Sequence, residues 1–233
     1  MKLLENKWAF VTGSSRGIGQ QIALGLAQRK CSVIVHGRME SHTAETLRRL
    51  KVYDIQIYVV SGDLESAKNV EAVIQSVKAG LGSVDILYNN AGFQNVWKPI
   101  WEITPEEWLQ SFQVNLFAMI ALCNAFAPEM KKRGYGRIIN LTSGIKDIPQ
   151  LAPYSVSKAA VDKYSRDLAA ELRGTNVLVN YLDPGWLRTD LGGPNAENAV
   201  ETVLPGALVP VLLEDNGPSG RLYVAQDYKY LEC

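Results

Sequence analysis

The first apolar run of the chain, Trp8-Ala9-Phe10-Val11, is followed at once by Thr12-Gly13-Ser14-Ser15-Arg16-Gly17-Ile18-Gly19, a glycine-rich turn that opens an amphipathic segment. Glycines permit unusual backbone angles and close approach, and the unpaired amides at the start of a helix favour an anion. The spacing is G-x-x-x-G-x-G, which differs from the commonest dinucleotide fingerprint. A plain tight turn would also contain glycines, but the position at the first strand–helix junction favours a dinucleotide site. The predicted cofactor contacts in this turn are Gly13, Ser15, Arg16, Gly17, Ile18 and Gly19.

Short apolar runs and amphipathic segments alternate along the rest of the chain. The apolar runs predict seven buried strands, at Trp8–Val11, 33–35, 55–60, 84–88, 137–141, 177–179 and 222–224. The amphipathic segments predict helices at 17–29, 41–51, 66–79, 105–132, 153–173 and 197–213. Thr104-Pro105-Glu106-Glu107 supports the fourth of these helices, because it supplies an N-cap hydroxyl, a proline at the first helical position and a capping-box glutamate.

This alternation predicts a parallel sheet that is covered by helices on both faces. Right-handed crossovers then give a doubly wound Rossmann-type α/β fold with seven parallel strands. The length of 233 residues, of which 47% are hydrophobic, suits a single domain over residues 1–233. The stretch Gly192-Gly193-Pro194-Asn195 is the best candidate for a mobile loop.

The charge of the chain is balanced, with 24 Lys and Arg residues against 24 Asp and Glu residues. Because there is no global positive field, we expect neither nucleic acid nor an anionic membrane as a partner, and we predict a small-molecule substrate. No stretch approaches about 18 consecutive apolar residues, and the N-terminus lacks the apolar region of a signal peptide. No membrane segment is therefore predicted.

The three cysteines, Cys31, Cys123 and Cys233, are odd in number and far apart in the sequence. The two histidines, His36 and His42, do not combine with them in any metal-ligand spacing. We therefore predict buried or incidental thiols, no metal site and a reducing, cytoplasmic location.

The second predicted strand runs into Val35-His36-Gly37-Arg38, where an acidic residue would receive the adenosine ribose hydroxyls of NAD. No acid is present there. Arg38 can instead pair with a 2′-phosphate, and Arg16 can reach the same side. Either arginine alone would be an ordinary surface residue, but the two together predict NADP(H) as the cofactor.

Tyr154 and Lys158 are four residues apart within Tyr154-Ser155-Val156-Ser157-Lys158, which places both side chains on one face of a helix. An ammonium roughly 4 Å from a phenol favours the phenolate by about 4 kcal/mol at an effective dielectric of about 20. We therefore predict that Lys158 lowers the pKa of Tyr154 and makes this tyrosine a proton donor. An isolated Y-x-x-x-K would more often be an exposed pair on a solvated helix.

Further motifs follow the other predicted strands in order. They are Gly62-Asp63-Leu64, Asn89-Asn90-Ala91-Gly92, Asn115, Ser143, and Pro184-Gly185 followed by Thr189. Together with the glycine-rich turn and the Tyr154/Lys158 pair, this ordered set resembles the short-chain dehydrogenase/reductase family, in its short single-domain branch. The resemblance runs through nearly the whole chain.

The resemblance implies cofactor contacts beyond the glycine-rich turn. Asp63 would form a hydrogen bond with the adenine ring, and Leu64 next to it would also contact the cofactor. The other interpretation of Asp63 is a helix cap. The contacts to the adenosine ribose would come from Asn89, Ala91 and Gly92. The nicotinamide carboxamide would be held by Pro184, Gly185, Leu187 and Thr189.

The resemblance also implies catalytic roles. The substrate carbonyl would lie between Ser143 and Tyr154, with Ser143 stabilising the developing negative charge and Tyr154 acting as general acid. Lys158 would lower the pKa of Tyr154 and bind the nicotinamide ribose. Asn115 would hold a water that links Lys158 to solvent, whereas taken alone it would be an ordinary polar residue inside a helix.

Two departures from the family pattern concern the active site. Ser143 and Tyr154 are 11 positions apart, a shorter interval than the resemblance leads us to expect, so the loop between them must be tighter. The segment 190–213 is also short, and it must supply both the substrate lid and the last crossover helix. We therefore expect a comparatively open active site.

The resulting prediction is an NADPH-dependent oxidoreductase that reversibly reduces a ketone or aldehyde to an alcohol. A narrower alternative is a 3-oxoacyl-[acyl-carrier-protein] reductase, which a basic docking patch would favour. Lys131, Lys132 and Arg133 could form such a patch, although helix-dipole complementarity explains them equally well. A catalytically idle NADP(H)-binding sensor or subunit is the alternative from another class, and the intact catalytic set argues against it.

Several aromatic residues near the expected cleft could shape an apolar substrate pocket. They are Phe93, Trp97, Trp101, Tyr181 and Trp186. Core or subunit packing is the default for each, and Trp186, beside the nicotinamide loop, is the best pocket candidate. The helices at 105–132 and 153–173 are the expected surfaces of a homodimer or homotetramer.

Overall fold

The computed structural model describes residues 3–231 and contains one parallel sheet. Its strands are β1 (Trp8–Val11), β2 (Ser32–Gly37), β3 (Ile57–Ser61), β4 (Ile86–Asn89), β5 (Gly136–Leu141), β6 (Val177–Asp183) and β7 (Leu222–Val224). They lie in the order β3-β2-β1-β4-β5-β6-β7, and every neighbouring pair is parallel. The order reverses between β1 and β4, where doubly wound sheets bind their ligands. The predicted fold class is confirmed.

The helices cover both faces of the sheet. They are α1 (Gly17–Gln28), α2 (Ala44–Leu50), α3 (Ala67–Leu81), α4 (Pro105–Phe112), α5 (Ala118–Arg133) and α6 (Ala152–Glu171). Alternate residues of β1 face two separate cores, because successive side chains of a strand point to opposite faces. Val11 packs with Ile22 of α1, whereas Phe10 packs with Leu122 of α5 and Val161 of α6.

The predicted helix at 197–213 is wrong. The segment instead forms two short 3₁₀ turns, Val200–Val203 and Gly206–Val211. Pro205 and Pro210 explain the difference, since proline lacks an N–H donor and disfavours helical backbone in the residue before it. The apolar spacing still marks burial, because both turns pack against the core on the α1 face.

The predicted helix at 105–132 is divided into α4 and α5 by a π-helical turn, Gln113–Phe117. Its predicted capping box is present, since the Thr104 N–H donates to Glu107 Oε2 at 2.8 Å and the Glu107 N–H donates to Thr104 Oγ1 at 3.4 Å. The stretch Pro105–Arg133 is long and apolar enough to cross a membrane, but half of its most apolar window is buried in the protein. Its α5 part packs on α3 and β5, as a core helix does.

Cys31 and Cys123 are free and buried, as predicted. Burial raises the pKa of both thiols, that of Cys123 to about 12, so neither forms a thiolate near neutral pH. Cys233 lies outside the described residues. Within residues 3–231, no group of three or more His, Cys, Asp or Glu side chains is arranged to hold a metal ion.

Candidate active site

The glycine-rich turn joins β1 to α1 at the carboxyl edge of the sheet. Gly13 and Gly17 have left-handed backbone, with φ of 63° and 58°. A Cβ at Gly19 would collide with the carbonyl oxygen of Gly13, so the helix start requires glycine there. Arg16 makes no capping bond at the start of α1, and the first turn carries no acidic residue. The first N–H groups of α1 are therefore available to an anion, which fits a pyrophosphate.

His36 at the end of β2 fixes this turn from behind. Its Nδ1 accepts the Gly13 N–H at 3.0 Å, its Nε2 lies 3.0 Å from the Gly62 carbonyl oxygen, and its backbone N–H donates to Ser14 Oγ at 2.9 Å. These partners assign the neutral tautomer with a proton on Nε2. Burial lowers the pKa of His36 to about 4. From the sequence we predicted only that His36 is not a metal ligand. Its position directly before Gly37-Arg38, at the predicted cofactor site, was the feature that could have indicated its role.

We expect the buried neutral state of His36 to make folding sensitive to acid. The unfolded histidine takes up a proton near pH 6.5 and the folded one only near pH 4, so stability is full above 6.5 and is lost as pH falls toward 4. Wild type should lose about 2 kcal/mol more unfolding free energy than His36→Gln between about pH 7 and about pH 4.5. Urea unfolding of both proteins at the two pH values measures this difference, and equal losses would contradict it.

The loop after β4 supports the glycine-rich turn through Asn90 rather than through Asn89. Asn90 Nδ2 donates to the carbonyl oxygen of Thr12 at 2.8 Å, and its N–H donates to Thr12 Oγ1 at 2.9 Å. Asn89 Nδ2 instead donates to Asn140 Oδ1 at 2.8 Å inside the sheet. Only the backbone of Asn89 can therefore make the predicted cofactor contact, because the side chain points into the core.

Asp63 and Leu64 follow β3 on the same edge of the sheet. Asp63 is half-buried, and its Oδ1 accepts the Glu65 N–H at 3.0 Å. It is not the helix cap, since Ser66 caps α3. The Leu64 side chain is buried in the core on the α3 face, so only the backbone of Leu64 can make its predicted cofactor contact.

Ser143, Tyr154 and Lys158 meet where β5 ends and α6 begins. The Ser143 hydroxyl accepts the Ile145 N–H at 3.3 Å and lies close enough to the Tyr154 hydroxyl to lower its pKa. Lys158 Nζ lies 5.7 Å from the centre of the Tyr154 ring and donates to the carbonyl oxygen of Leu141 at 2.8 Å. A Cβ at Gly92 would lie 3.8 Å from the same Nζ. The chain therefore brings the three predicted catalytic side chains together beside the loop after β4.

The predicted acidification of Tyr154 is wrong. Burial raises the pKa of Tyr154 above its ordinary value; the Ser143 hydroxyl lowers it, and the charge of Asp183 raises it further. Lys158 is directed at the Leu141 carbonyl rather than at the phenol, and burial lowers its own pKa to about 8. Tyr154 is therefore protonated at neutral pH, which is the form that a proton donor requires.

Asn115 lies in the π-helical turn, a local irregularity that often marks functional sites. Its Oδ1 accepts the Phe93 N–H at 2.7 Å, and its Nδ2 donates to the Phe93 carbonyl oxygen at 2.8 Å and to Ser157 Oγ at 2.9 Å. The side chain thus clamps the loop after β4 onto α6, directly before Lys158. That a water is held at Asn115 stays a prediction.

The loop after β6 lies over the glycine-rich turn. A Cβ at Gly17 would lie 3.6 Å from the Thr189 methyl carbon, and Arg16 Nε lies 2.6 Å from Asp190 Oδ2. The loop is fixed at its start by Gln226, whose Nε2 donates to the Pro184 carbonyl oxygen at 2.9 Å. Arg38 stands exposed at the end of β2. The sequence did not single out Asp190 or Gln226.

The remaining predicted residues of this loop have defined places. Gly185 has left-handed backbone with φ of 82°, and Leu187 is buried. The Gly192 N–H donates to Thr189 Oγ1 at 3.0 Å, and Trp186 Nε1 donates to the Gly192 carbonyl oxygen at 2.8 Å. These two hydrogen bonds hold Gly192 in place. That the stretch 192–195 is mobile stays a prediction.

A family model described as short chain dehydrogenase matches residues 7–199, which include the glycine-rich turn, the predicted catalytic trio of Ser143, Tyr154 and Lys158, and the loop after β6. The chain belongs to the short-chain dehydrogenase family. Members of this family are oxidoreductases that act on CH–OH and C=O groups with nicotinamide cofactors, and this chain is an oxidoreductase of that class.

Relatives of this short-chain dehydrogenase bind either form of the cofactor. The uncharacterised oxidoreductase YvrD of Bacillus subtilis (strain 168) is 37% identical over 184 residues, which cover 78% of this chain and 69% of that protein. A 3-oxoacyl (acyl-carrier-protein) reductase from Agrobacterium tumefaciens C58, solved with NADP bound, has 27% identity and a TM-score of 0.85 over 95% of this chain and 93% of that one. A 7α-hydroxysteroid dehydrogenase solved with NADH has 27% identity and a TM-score of 0.84, with the same coverage.

The aromatic residues near the cleft divide between buried and exposed, which tests the core part of the default prediction and leaves the subunit part a prediction. Tyr181 is buried in β6, but Trp97 and Trp101 are 58% and 83% exposed and lie outside both cores. Trp186 is also 58% exposed, beside the loop that it anchors. Core packing therefore does not explain the three tryptophans.

Proposed function

We propose that this short-chain dehydrogenase reversibly reduces a ketone or aldehyde to an alcohol with NADPH. When bound, NADPH supplies the hydride. The carbonyl carbon gains that hydride and its oxygen gains one proton, which leaves an alcohol and NADP⁺. The observation that carries the proposal is that Ser143, Tyr154 and the buried Lys158 are neighbours at the carboxyl edge of the sheet.

In this proposal the hydroxyl groups of Ser143 and Tyr154 bind one carbonyl oxygen. Both would donate to that oxygen, so the negative charge that develops there is stabilised by two hydrogen bonds. Tyr154 then transfers its proton to complete the alcohol. Because its pKa is raised by burial, the phenol holds this proton throughout the neutral range. In the reverse direction Tyr154 must be deprotonated, so alcohol oxidation should favour alkaline pH.

The cofactor would lie between the carboxyl ends of β1 and β4, where the fold reverses. The open start of α1 suits the pyrophosphate, and Lys158 Nζ beside Gly92 suits the nicotinamide ribose. The residues proposed to hold it are Gly13, Ser15, Arg16, Gly17, Ile18, Gly19, Arg38, Asp63, Leu64, Asn89, Ala91, Gly92, Tyr154, Lys158, Pro184, Gly185, Leu187 and Thr189.

The choice of NADPH over NADH rests on Arg38 and Arg16. Arg38 is exposed where an acidic residue would favour NADH, and Arg16 begins α1 on the same edge of the sheet. Both guanidinium groups can form charge-assisted bonds with a 2′-phosphate. Arg16 already forms an ion pair with Asp190, so the 2′-phosphate must compete with the Asp190 carboxylate for Arg16.

Asp190→Asn should therefore strengthen NADPH binding by a factor of about 1.4 to 5 and leave NADH binding unchanged, since exposed ion pairs are worth about 0.2 to 1 kcal/mol. Titration of NADPH and NADH fluorescence measures both dissociation constants. Glu197→Gln, which removes another exposed charge from the same loop, serves as the control and should change neither. An equal effect of Asp190→Asn on the two cofactors would contradict the competition.

The acyl-carrier-protein alternative receives little support from the basic residues that suggested it. Lys131, Lys132 and Arg133 end α5 and precede the amino end of β5, at the sheet edge opposite the candidate site. Lys132 pairs with Glu129 at 2.7 Å, and Arg133 donates to the Val84 carbonyl oxygen at 2.6 Å. A carrier protein docked there would face away from the active site.

We also propose a homodimer or homotetramer that uses the α4–α5 and α6 surfaces. Leu109 and Phe117 are exposed on the first of these, and Val156 is exposed on α6, so each surface presents apolar side chains to solvent. Members of the family are commonly oligomeric. The free thiols of Cys31 and Cys123 suit a reducing compartment such as the cytoplasm.

The proposed function is tested by following NADPH and NADH absorbance with a panel of ketones, aldehydes and 3-oxoacyl thioesters. We expect NADPH oxidation with ketones or aldehydes, and weaker activity with NADH. Binding of NADPH without turnover of any compound would instead support the sensor alternative. Turnover of acyl thioesters alone would support the carrier-protein reductase.

A further inference from the structure

A carboxylate that no motif predicts lies beside the loop that carries Ser143. Asp183 is the last residue of β6 and is half-buried. Its Oδ1 accepts the Gly185 N–H at 2.9 Å. Its Oδ2 abuts the residue after Ser143, since a Cβ at Gly144 would lie only 2.6 Å from this oxygen. The carboxylate is therefore wedged between the loop that carries Ser143 and the loop that begins at Pro184.

The carboxylate of Asp183 is close enough to Tyr154 for its charge to act on the phenol. After burial, it is one of the causes that raise the pKa of Tyr154. Lys158 donates to the Leu141 carbonyl oxygen and forms no ion pair with Asp183. Within residues 3–231, no Lys or Arg side chain forms an ion pair with Asp183. A carboxylate without an ion-pair partner among the described residues thus lies near the position proposed for the substrate carbonyl.

The local backbone does not need this charge. The bond to Gly185 uses one oxygen as acceptor, and the amide oxygen of an asparagine would accept the same N–H. Gly144 leaves room for the second oxygen, which an amide nitrogen of similar size would also fill. The negative charge is therefore free to serve recognition.

We propose that Asp183 selects the substrate by charge, favouring carbonyl compounds with a hydroxyl or ammonium group beside the carbonyl and rejecting those with a carboxylate there. This inference rests on the proposed reduction of a carbonyl compound. An ionised carboxylate only accepts hydrogen bonds, so hydroxyl and ammonium donors bind to it and an anion is repelled. The repulsion is strong in a partly desolvated cleft, because the effective dielectric there is well below that of water.

The test compares wild type with Asp183→Asn on three methyl ketones of equal carbon number: hydroxyacetone, aminoacetone and pyruvate. Each compound is compared with itself in the two proteins, so differences in intrinsic carbonyl reactivity cancel. Relative to hydroxyacetone, we expect the variant to raise kcat/KM for pyruvate about tenfold and to lower it for aminoacetone by a similar factor. The matched control is Asp147→Asn, which removes an exposed charge at a left-handed position that asparagine adopts readily.

A second readout does not depend on turnover. Saturation-transfer NMR measures binding of lactate, 1-amino-2-propanol and 1,2-propanediol to the enzyme with NADP⁺ bound, and the same ordering is expected. Ratios that are equal in wild type and Asp183→Asn, or equal changes in Asp147→Asn, would overturn the inference. The same holds if none of the three alcohols binds either protein. If wild type oxidises no NADPH with any carbonyl compound, the proposed function fails, and the binding ratios still decide the role of Asp183.

Discussion

Tyr154→Phe is expected to lower kcat for carbonyl reduction by about a thousandfold and to leave the dissociation constant of NADPH within about twofold. The substitution removes the proton donor and one of the two hydroxyl groups proposed to bind the carbonyl oxygen. The ring itself is almost fully buried and is retained, so the fold should be unaffected. Loss of chemistry with retained cofactor binding is therefore the expected signature.

Tyr164→Phe provides the matched control, because it removes a hydroxyl from a second tyrosine on α6. We expect its kcat to stay within about twofold of wild type. Cofactor binding is followed by NADPH fluorescence, and turnover by absorbance with the best ketone or aldehyde of the panel. Turnover by Tyr154→Phe at the rate of Tyr164→Phe would remove Tyr154 from the mechanism.

The sheet was predictable because parallel strands buried on both faces are continuous apolar runs. Trp8–Val11 and Ile86–Asn89 show this, and their positions place the crevice. The failure at 197–213 has a local cause that the sequence also displays. Apolar spacing there is helical, but Pro205 and Pro210 remove the donors that a helix would need. The two prolines are stronger evidence against a helix than the apolar spacing is evidence for one.

The placement of Tyr154 and Lys158 on one helical face was predictable from spacing and that of Ser143 only from the family resemblance, whereas the protonation of Tyr154 was not predictable. Sequence separation places Tyr154 and Lys158 on one helical face. Whether the ammonium reaches the phenol depends on burial and on competing acceptors, and the Leu141 carbonyl comes from a different element. The raised pKa of Tyr154 is thus a product of tertiary packing, with burial as its main cause.

His36 and Asp183 were missed for a related reason. Each side chain acts on a segment distant in sequence, His36 on Gly13 and Asp183 on the neighbourhood of Ser143. No spacing rule within one element relates such pairs. Their common signal is position, since both stand at or near the carboxyl end of a parallel strand, where ligands of doubly wound sheets bind. Polar residues at the carboxyl ends of parallel strands should therefore be considered as site residues before any motif is matched.

Arg38→Asp is expected to lower the ratio of kcat/KM for NADPH to that for NADH by about a hundredfold. The substitution replaces an exposed guanidinium, which can pair with a 2′-phosphate, by a carboxylate that repels it. The same carboxylate can accept the ribose hydroxyls of NADH, so the NADH term of the ratio should rise. Because Arg38 is exposed at the end of β2, the fold tolerates the exchange.

Two further variants separate charge reversal from charge removal. Arg38→Gln should lower the same ratio by about tenfold, since it loses the charge-assisted bond without adding repulsion. Arg48→Gln removes another exposed arginine, one that pairs with Glu45 on α2, and should change the ratio by less than about twofold. Initial rates with both cofactors, measured at one ionic strength, give all three ratios. An unchanged ratio in Arg38→Asp would remove the assignment of NADPH, because Arg16, held by Asp190, cannot by itself account for a strong preference.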